Sequence, residues 1–250
     1  MTPKVYLVTG VGSGLGSAVV SRLASGGAEV VAVARSKGHL EKLGAHARSR
    51  GWALTPFFGD LAAPGVAERL VETLRSRGGR LDGASLQTGR WIAGDTLLHK
   101  TTDAEWTDGI LSNLEAIFRT ARAVVPLFLA QGHGSLVLVS AAERVRLSGN
   151  VSYCTAKGGL VDLARKLARD YRPAGIRVNA ILPGTMEHDL PSLDPPATDG
   201  ALPLRNASGV GAWEVARAIA FLLGDESRWI TGAAIPVDGG YSLHGREPEP

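Results

Sequence analysis

The feature that most limits what this chain can become is a strict alternation of two kinds of segment. Short apolar runs, many rich in β-branched residues, occur at Val5–Val8, Val30–Ala34, Ala53–Phe58, Leu81–Leu86, Leu136–Val139, Arg177–Leu182 and Ala234–Val237. Between them lie longer stretches of helical pattern, Leu15–Ser25, Leu40–Arg50, Val66–Arg77, Asp103–Ala130, Ser152–Tyr171 and Trp213–Leu223. Most of the short runs lack polar alternation, as strands covered on both faces do. Repeated βα units require parallel strands joined by right-handed crossovers. The chain is therefore read as α/β, a doubly wound, Rossmann-type parallel sheet of about seven strands with helices on both faces. Its 250 residues suffice for one such domain, and no linker-like stretch divides them, so residues 1–245 are expected to form a single unit. In such a sheet a ligand lies at the carboxyl ends of the strands, near the point where strand order reverses.

Two segments stand outside this pattern. Gly184 to Gly209 holds Pro191, Pro195, Pro196 and Pro203 with few periodic apolar positions, and is expected to overhang the carboxyl edge of the sheet as a lid over a substrate. The polar, Pro-rich tail 246–250 is expected to be disordered. The formal charge of +3 is spread without runs of one sign, which argues against nucleic acid as a partner. The longest apolar run, Ala123 to Ala130, is broken by Pro126 and is too short to span a bilayer, and no leader-like segment precedes Val5. Cys154 is the only cysteine, which excludes an intrachain disulfide and fits a reducing cytoplasm. No metal ligands are assigned.

The first run leads into Thr9-Gly10-Val11-Gly12-Ser13-Gly14-Leu15-Gly16 and then a helix. Glycines let the backbone turn tightly against a pyrophosphate, and the helix N-terminus offers it unpaired N–H groups and a partial positive charge. A structural turn without a ligand is the bland alternative. The second run ends in Ala34-Arg35-Ser36-Lys37, with no acid to bind a ribose 2′-hydroxyl. Arg35, with Ser36 beside it, suits a 2′-phosphate, so NADP(H) is preferred and NAD(H) remains possible. Asp60-Leu61 follows the third run, where the carboxylate either accepts from an adenine amino group or closes an Asx turn.

At the other end of the cleft, Tyr153 and Lys157 stand four apart and share a helix face. An ammonium beside the phenol, with a positive nicotinamide, favours the phenolate and is expected to lower its pKa. Tyr153 can then pass a proton to or from a substrate oxygen.

These residues together resemble the short-chain dehydrogenase/reductase family over almost the whole chain, and most nearly its 3-oxoacyl-carrier-protein-reductase-like branch. Thr9-Gly10, Gly14 and Gly16 match the family's cofactor turn, and Asp60 its adenine contact. Asn113, Tyr153 and Lys157 match three members of its catalytic tetrad. Ile176 to Gly184 matches the strand and turn beside the nicotinamide, and Ile230-Thr231-Gly232 with Val237 to Tyr241 matches the C-terminal strand. The resemblance implies reversible hydride transfer between NAD(P)H and a carbonyl or alcohol, and commonly a homo-tetramer, with a homo-dimer as the smaller form. It implies that Lys157 reaches the nicotinamide ribose and that the backbone at Pro183, Gly184 and Met186 meets the carboxamide. Gly89 keeps the backbone approach to the cofactor.

Two departures stand out. The family's Asn-Asn-Ala-Gly is replaced by Leu86-Gln87-Thr88-Gly89, so that Gln87 or Thr88 has to brace the sheet in its place. The second concerns the catalytic serine. Counting back from Tyr153 places it at Ser140, whereas counting forward from Asn113 places it at Ala141. One residue is missing between the two anchors, before the strand in the first case and after it in the second. Ser140 is taken into the catalytic set, because the chemistry calls for a donor there. Trp91, Ala142, Arg144 and Arg146 are expected to rim the substrate pocket, the arginines to hold an anionic handle such as that of a carrier-bound substrate, and His188 to reach in from the lid. The alternative to redox chemistry is an isomerase, dehydratase or cyclase on the same fold, or a cofactor-binding protein with impaired catalysis.

Overall fold

A computed structural model describes residues 2–94, 96–186, 190, 192–196 and 210–243. Seven strands, β1 (Val5–Val8), β2 (Glu29–Ala34), β3 (Leu54–Phe58), β4 (Gly83–Leu86), β5 (Gly134–Val139), β6 (Ile176–Pro183) and β7 (Ala234–Val237), pair in parallel in the order β3-β2-β1-β4-β5-β6-β7. The order reverses between β1 and β4, which opens the crevice the sequence pattern calls for.

Helices cover both faces. Leu7, Ala84, Leu136 and Leu138 face a core completed by α3 (Val66–Ser76), α5 (Ala116–Gln131) and α7 (Val151–Tyr171). Val8, Val30, Val137 and Val139 face the opposite core, built with α1 (Leu15–Ser25), α2 (Lys37–Ser49) and α8 (Ala212–Leu223). Strand side chains alternate between the two layers.

The structure departs from the sequence reading at several places. β3 begins at Leu54 and β4 at Gly83, since Leu81 and Asp82 belong to the approach rather than the ladder. The stretch Asp103–Ala130 is not one helix. α4 (Asp103–Ile110) starts at a capping box in which Thr102 and Glu105 bond reciprocally. It passes through one π-helical turn, Leu111–Glu115, into α5. A widened turn rotates the following residues, and such turns recur at functional sites. A short helix, α6 (Glu143–Ser148), carries too few residues to show a period and escaped the sequence reading.

The lid reading of 184–209 falls largely outside the described residues, as does the tail. The described part leaves β6 at Thr185, whose carbonyl accepts from the Val210 N–H at 2.7 Å. Leu190 N–H donates to the Ser13 carbonyl at 3.1 Å, and Asp194 pairs with His46 on α2 and with Arg50 just past its end. Among the described residues no helix is long and apolar enough to cross a membrane.

Candidate active site

The turn between β1 and α1 is shaped by neighbouring backbone. Gly10 has φ +65°, and a Cβ there would lie 2.8 Å from the Gln87 carbonyl oxygen, so only glycine fits without displacing the turn. Gly14 precedes α1 without any side-chain cap, which leaves the first-turn N–H groups available to an anion. Two hollows of about 280 and about 650 Å3 share Gly10, Gly12, Gly89 and Arg90 and so form one cleft along the carboxyl edge.

The smaller end is lined by Arg35, Ser36, Asp60 and Leu61 with the glycine turn. Ser36 caps α2, its hydroxyl accepting from the His39 N–H at 3.3 Å. The side chain of Ser36 is thereby engaged, and Arg35 is exposed at this end, where Arg90 also borders the hollow. Asp60 closes an Asx turn by accepting from the Ala62 N–H at 3.0 Å, and its carboxylate also borders the hollow. Both sequence readings of Asp60 therefore coexist.

The larger end is lined by Ser13, Gly14, Leu15 and Gly16, and by Pro183, Gly184, Thr185 and Met186. Trp91, Ser140, Ala141, Tyr153 and Lys157 complete it. Thr9 lies beneath, buried, and its hydroxyl accepts from the Gln87 N–H at 3.2 Å and from the Thr88 hydroxyl at 3.0 Å. Thr88 thus supplies a side-chain brace between β4 and β1 within the altered segment.

Asn113 sits in the π-helical turn, fully buried. Its Oδ1 accepts from the Arg90 N–H at 3.0 Å, and its Nδ2 donates to the Gly109 carbonyl at 3.2 Å. Gly89 passes so close that a Cβ there would lie 2.6 Å from Asn113 Oδ1 and 3.2 Å from Lys157 Nζ. This packing joins the residue at the end of β4 to two of the expected catalytic residues.

α7 begins at Asn150, whose side chain accepts from the Tyr153 N–H at 2.8 Å. The Tyr153 ring is buried edge-on against Trp91, centroids 4.9 Å apart, and Lys157 Nζ lies 6.0 Å from the phenol centroid. Burial pushes the Tyr153 phenol up to about 12 and Lys157 down to about 8. The expected lowering of the phenol is therefore not a property of the protein alone. Desolvation outweighs an ammonium at this distance, and the phenol is held neutral, with its proton in place.

Lys157 Nζ donates to the Val139 carbonyl at 3.1 Å, and the Ser140 hydroxyl donates to the Lys157 carbonyl at 2.6 Å. Of the expected rim residues, Trp91 lines the cleft, whereas Arg144 and Arg146 do not. Arg144 stacks over the Tyr241 ring at 4.1 Å, and Arg146 packs against α7 beside Gly158. Ala142 is buried, its N–H donating to the Pro183 carbonyl at 2.7 Å. α6 turns these side chains away, which a loop reading of 143–148 could not foresee. It turns Val145 and Ser148 inward instead. His188 lies outside the described residues.

A family model described as enoyl-(acyl carrier protein) reductase matches residues 10–242. The 3-oxoacyl-[acyl-carrier-protein] reductase FabG of Escherichia coli (strain K12) is 33% identical over 243 residues, covering 96% of this chain and 98% of that protein. Levodione reductase of Leifsonia aquatica is 32% identical over 255 residues, covering 96% and 95%. The crystal structure of a 3-ketoacyl-ACP reductase from Sinorhizobium meliloti 1021 superposes with a TM-score of 0.84 at 27% identity, covering 96% of this chain and 99% of that one.

Proposed function

The chain belongs to the short-chain dehydrogenase/reductase family and is an NAD(P)-dependent oxidoreductase, and from that premise we propose that it is an NADP(H)-preferring ketone reductase in which Tyr153 is the acid–base group. The observation that carries this reading is the pairing of an uncapped glycine turn with a buried phenol and ammonium in one cleft. The cited relatives are reductases, which favours redox chemistry over the isomerase, dehydratase or cyclase alternative.

The residues present fit a nicotinamide dinucleotide. The free N–H groups of α1 would hold the pyrophosphate, Asp60 and Leu61 the adenine end, and Pro183, Gly184 and Met186 the nicotinamide end. Once bound, the cofactor supplies a hydride to a carbonyl carbon in its reduced form and takes one from an alcohol in its oxidised form. Tyr153 holds a proton on its phenol oxygen and delivers it to the substrate oxygen as charge develops there, or receives it in the reverse direction. Lys157 offsets the negative charge left on the phenolate, and it is the cation to which a ribose hydroxyl can bond. Asn113 keeps the π-helical turn and the Arg90 backbone in place beside them.

NADP(H) preference rests on Arg35, exposed at the adenine end beside the N-terminus of α2. Both favour an added phosphate, and the only acid lining that hollow among the described residues is Asp60. The substrate wall is largely apolar, with Trp91, Ala141, Val145 and Met186. Arg144 and Arg146 stand outside this wall and Arg90, which borders it, is paired with Asp108, so a small carbonyl is favoured over a substrate anchored by an anionic arm. Phe118 and Leu129 of α5 are exposed in a shallow hollow completed by Leu163 and Leu167 of α7. We read that face as a homo-oligomer contact.

Titration with NADPH and NADH, followed by quenching of tryptophan fluorescence, tests the cofactor reading. NADPH is expected to bind more tightly. Arg35→Ala is expected to weaken NADPH about tenfold or more while leaving NADH unchanged, since a charge-assisted contact contributes on the order of 1.5–3 kcal/mol. Equal weakening of both cofactors would refute the assignment of Arg35. Tyr153→Phe is expected to lose nearly all turnover while retaining cofactor binding.

A further inference from the structure

Among the described residues, the cations that line the cleft stand at different places along it. Arg35 borders only the smaller hollow at the adenine end and Lys157 only the larger one, whereas Arg90 borders both. The residues common to the two hollows are Gly10, Gly12, Gly89 and Arg90. The neck between the hollows therefore has the glycine turn on one side and the end of β4 on the other.

When the cleft holds a dinucleotide, the part that passes the glycine turn is its pyrophosphate. The N-terminus of α1 meets that group with N–H groups and about half a positive charge, which is less than the pyrophosphate carries in negative charge. Arg35 stands at the adenine end, and the Lys157 ammonium is buried and bonded to the Val139 carbonyl at 3.1 Å. Arg90 is the lining cation that remains to face the pyrophosphate.

The Arg90 backbone is fixed and its side chain is not. Its N–H donates to Asn113 Oδ1 at 3.0 Å, and Gly89 before it is wedged against Asn113 and Lys157. The guanidinium, about half exposed, pairs with Asp108 of α4, whose carboxylate is equally open to water. Asp108 lies beside the smaller hollow, since its carbonyl accepts at 2.7 Å from the hydroxyl of Ser112, which lines that hollow. An ion pair so exposed contributes little, whereas a guanidinium fork on a phosphate makes charge-assisted bonds of matching geometry.

We propose that Arg90 is a cofactor-binding residue that leaves Asp108 and closes over the pyrophosphate of the bound dinucleotide from the side opposite the glycine turn. The inference rests on the reading of this cleft as a dinucleotide site. It gives the two arginines separate roles: Arg35 answers the phosphate that NADPH has and NADH lacks, and Arg90 answers the group that both share. Arg90 is engaged in either state, by Asp108 before binding and by the pyrophosphate after it, which keeps it from the substrate.

The test is calorimetric titration of the full-length wild type, R90M and D108N with NADPH, NADH, ADP-ribose and 2′-AMP. R90M is expected to bind NADPH, NADH and ADP-ribose each about tenfold or more weakly, and 2′-AMP, which has no pyrophosphate, within about twofold of wild type, since the lost contact is charge-assisted and local. D108N is expected to bind the first three about two- to fivefold more tightly, because no exposed pair then has to be broken. Free of cofactor, both variants are expected to melt within about 2 °C of wild type, as the loss of such a pair implies. Unchanged ADP-ribose affinity in R90M would overturn the proposal. So would a loss confined to NADPH, which would put Arg90 on the added phosphate, or an equal loss on 2′-AMP, which would put it on the adenosine. A D108N protein that binds NADH no more tightly than wild type would overturn the exchange, and this arm stands if R90M does not fold. Failure of the underlying reading is distinct: the wild type itself would then bind none of NADPH, NADH and ADP-ribose.

Discussion

Replacing Lys157 with methionine should make the cofactor-free protein more stable at neutral pH, by an amount that disappears in alkali. The side chain is nearly fully buried, and burial brings its pKa from 10.5 to about 8. At about 1.4 kcal/mol for each tenfold change in proton affinity, holding the ammonium inside costs about 3 kcal/mol at pH 7. Methionine is similar in length and carries no charge. It forfeits one hydrogen bond, to the Val139 carbonyl, of about 1 kcal/mol. The net gain is about 2 kcal/mol, which corresponds to roughly 4–8 °C in melting temperature for a chain of this size. The sign of the pH dependence follows from the depressed pKa. Between pH 8 and pH 10.5 the unfolded chain binds the proton and the native one does not, so wild-type stability rises across that window. Thermal melts of wild type and K157M at pH 7 and pH 10 provide the assay. The variant should lead at pH 7 and lose most of its lead by pH 10, with turnover abolished throughout. A variant that is less stable at pH 7, or a difference that does not change with pH, would refute the reasoning.

Gly89→Ala should lower turnover about a hundredfold and stability by about 1–3 kcal/mol, because the added methyl is driven to 2.6 Å from Asn113 Oδ1 and displaces a buried residue beside the chemistry. Asp82→Ala should destabilise the fold by about 2–4 kcal/mol in urea melts, since it leaves the Val5 N–H without its acceptor at 2.8 Å and Arg80 without its partner. Desolvation raises the Asp82 pKa, but the bonds from Arg80 and the Val5 N–H hold it below the ordinary carboxylate value. The wild type should therefore shed this stability as pH falls from about 4 through the folded pKa, whereas the stability of Asp82→Asn should vary less with pH over that window.

The sheet was legible because its cause is local. Runs such as Val5–Val8 and Ala234–Val237 match their strands residue for residue, since an apolar β-branched run bounded by turns has few other places to go. Asn113 was found by motif, but the π-helical turn that carries it was not. A single inserted turn leaves the apolar period of Asp103–Ala130 nearly intact, and its cause is tertiary: Gly89, Arg90 and Gly109 converge on the Asn113 side chain. α6 is six residues long and shows no period, so the sequence does not reveal that Arg144 stacks on Tyr241 rather than lining the cleft. The pKa of Tyr153 required knowledge of what buries it, which the four-residue spacing to Lys157 does not contain.

The end of β5 shows why motif spacing and strand register carry different information. Counting back from Tyr153 selects Ser140 and counting forward from Asn113 selects Ala141, because the segments on either side of β5 can gain or lose a residue without disturbing the sheet. Register cannot slip in this way, because one residue's shift would exchange the faces of Val137, Leu138 and Val139 and bury the wrong set. Register fixes the layer that each strand residue joins, and past the strand Ser140 and Ala141 both border the cleft. The bond on the Lys157 ammonium has a physical reason. An ammonium buried at a cost of about 3 kcal/mol would otherwise swing out to water. The bond from the ammonium to the Val139 carbonyl at the end of β5 opposes this, while the Ser140 hydroxyl ties the same strand end to the α7 backbone at Lys157.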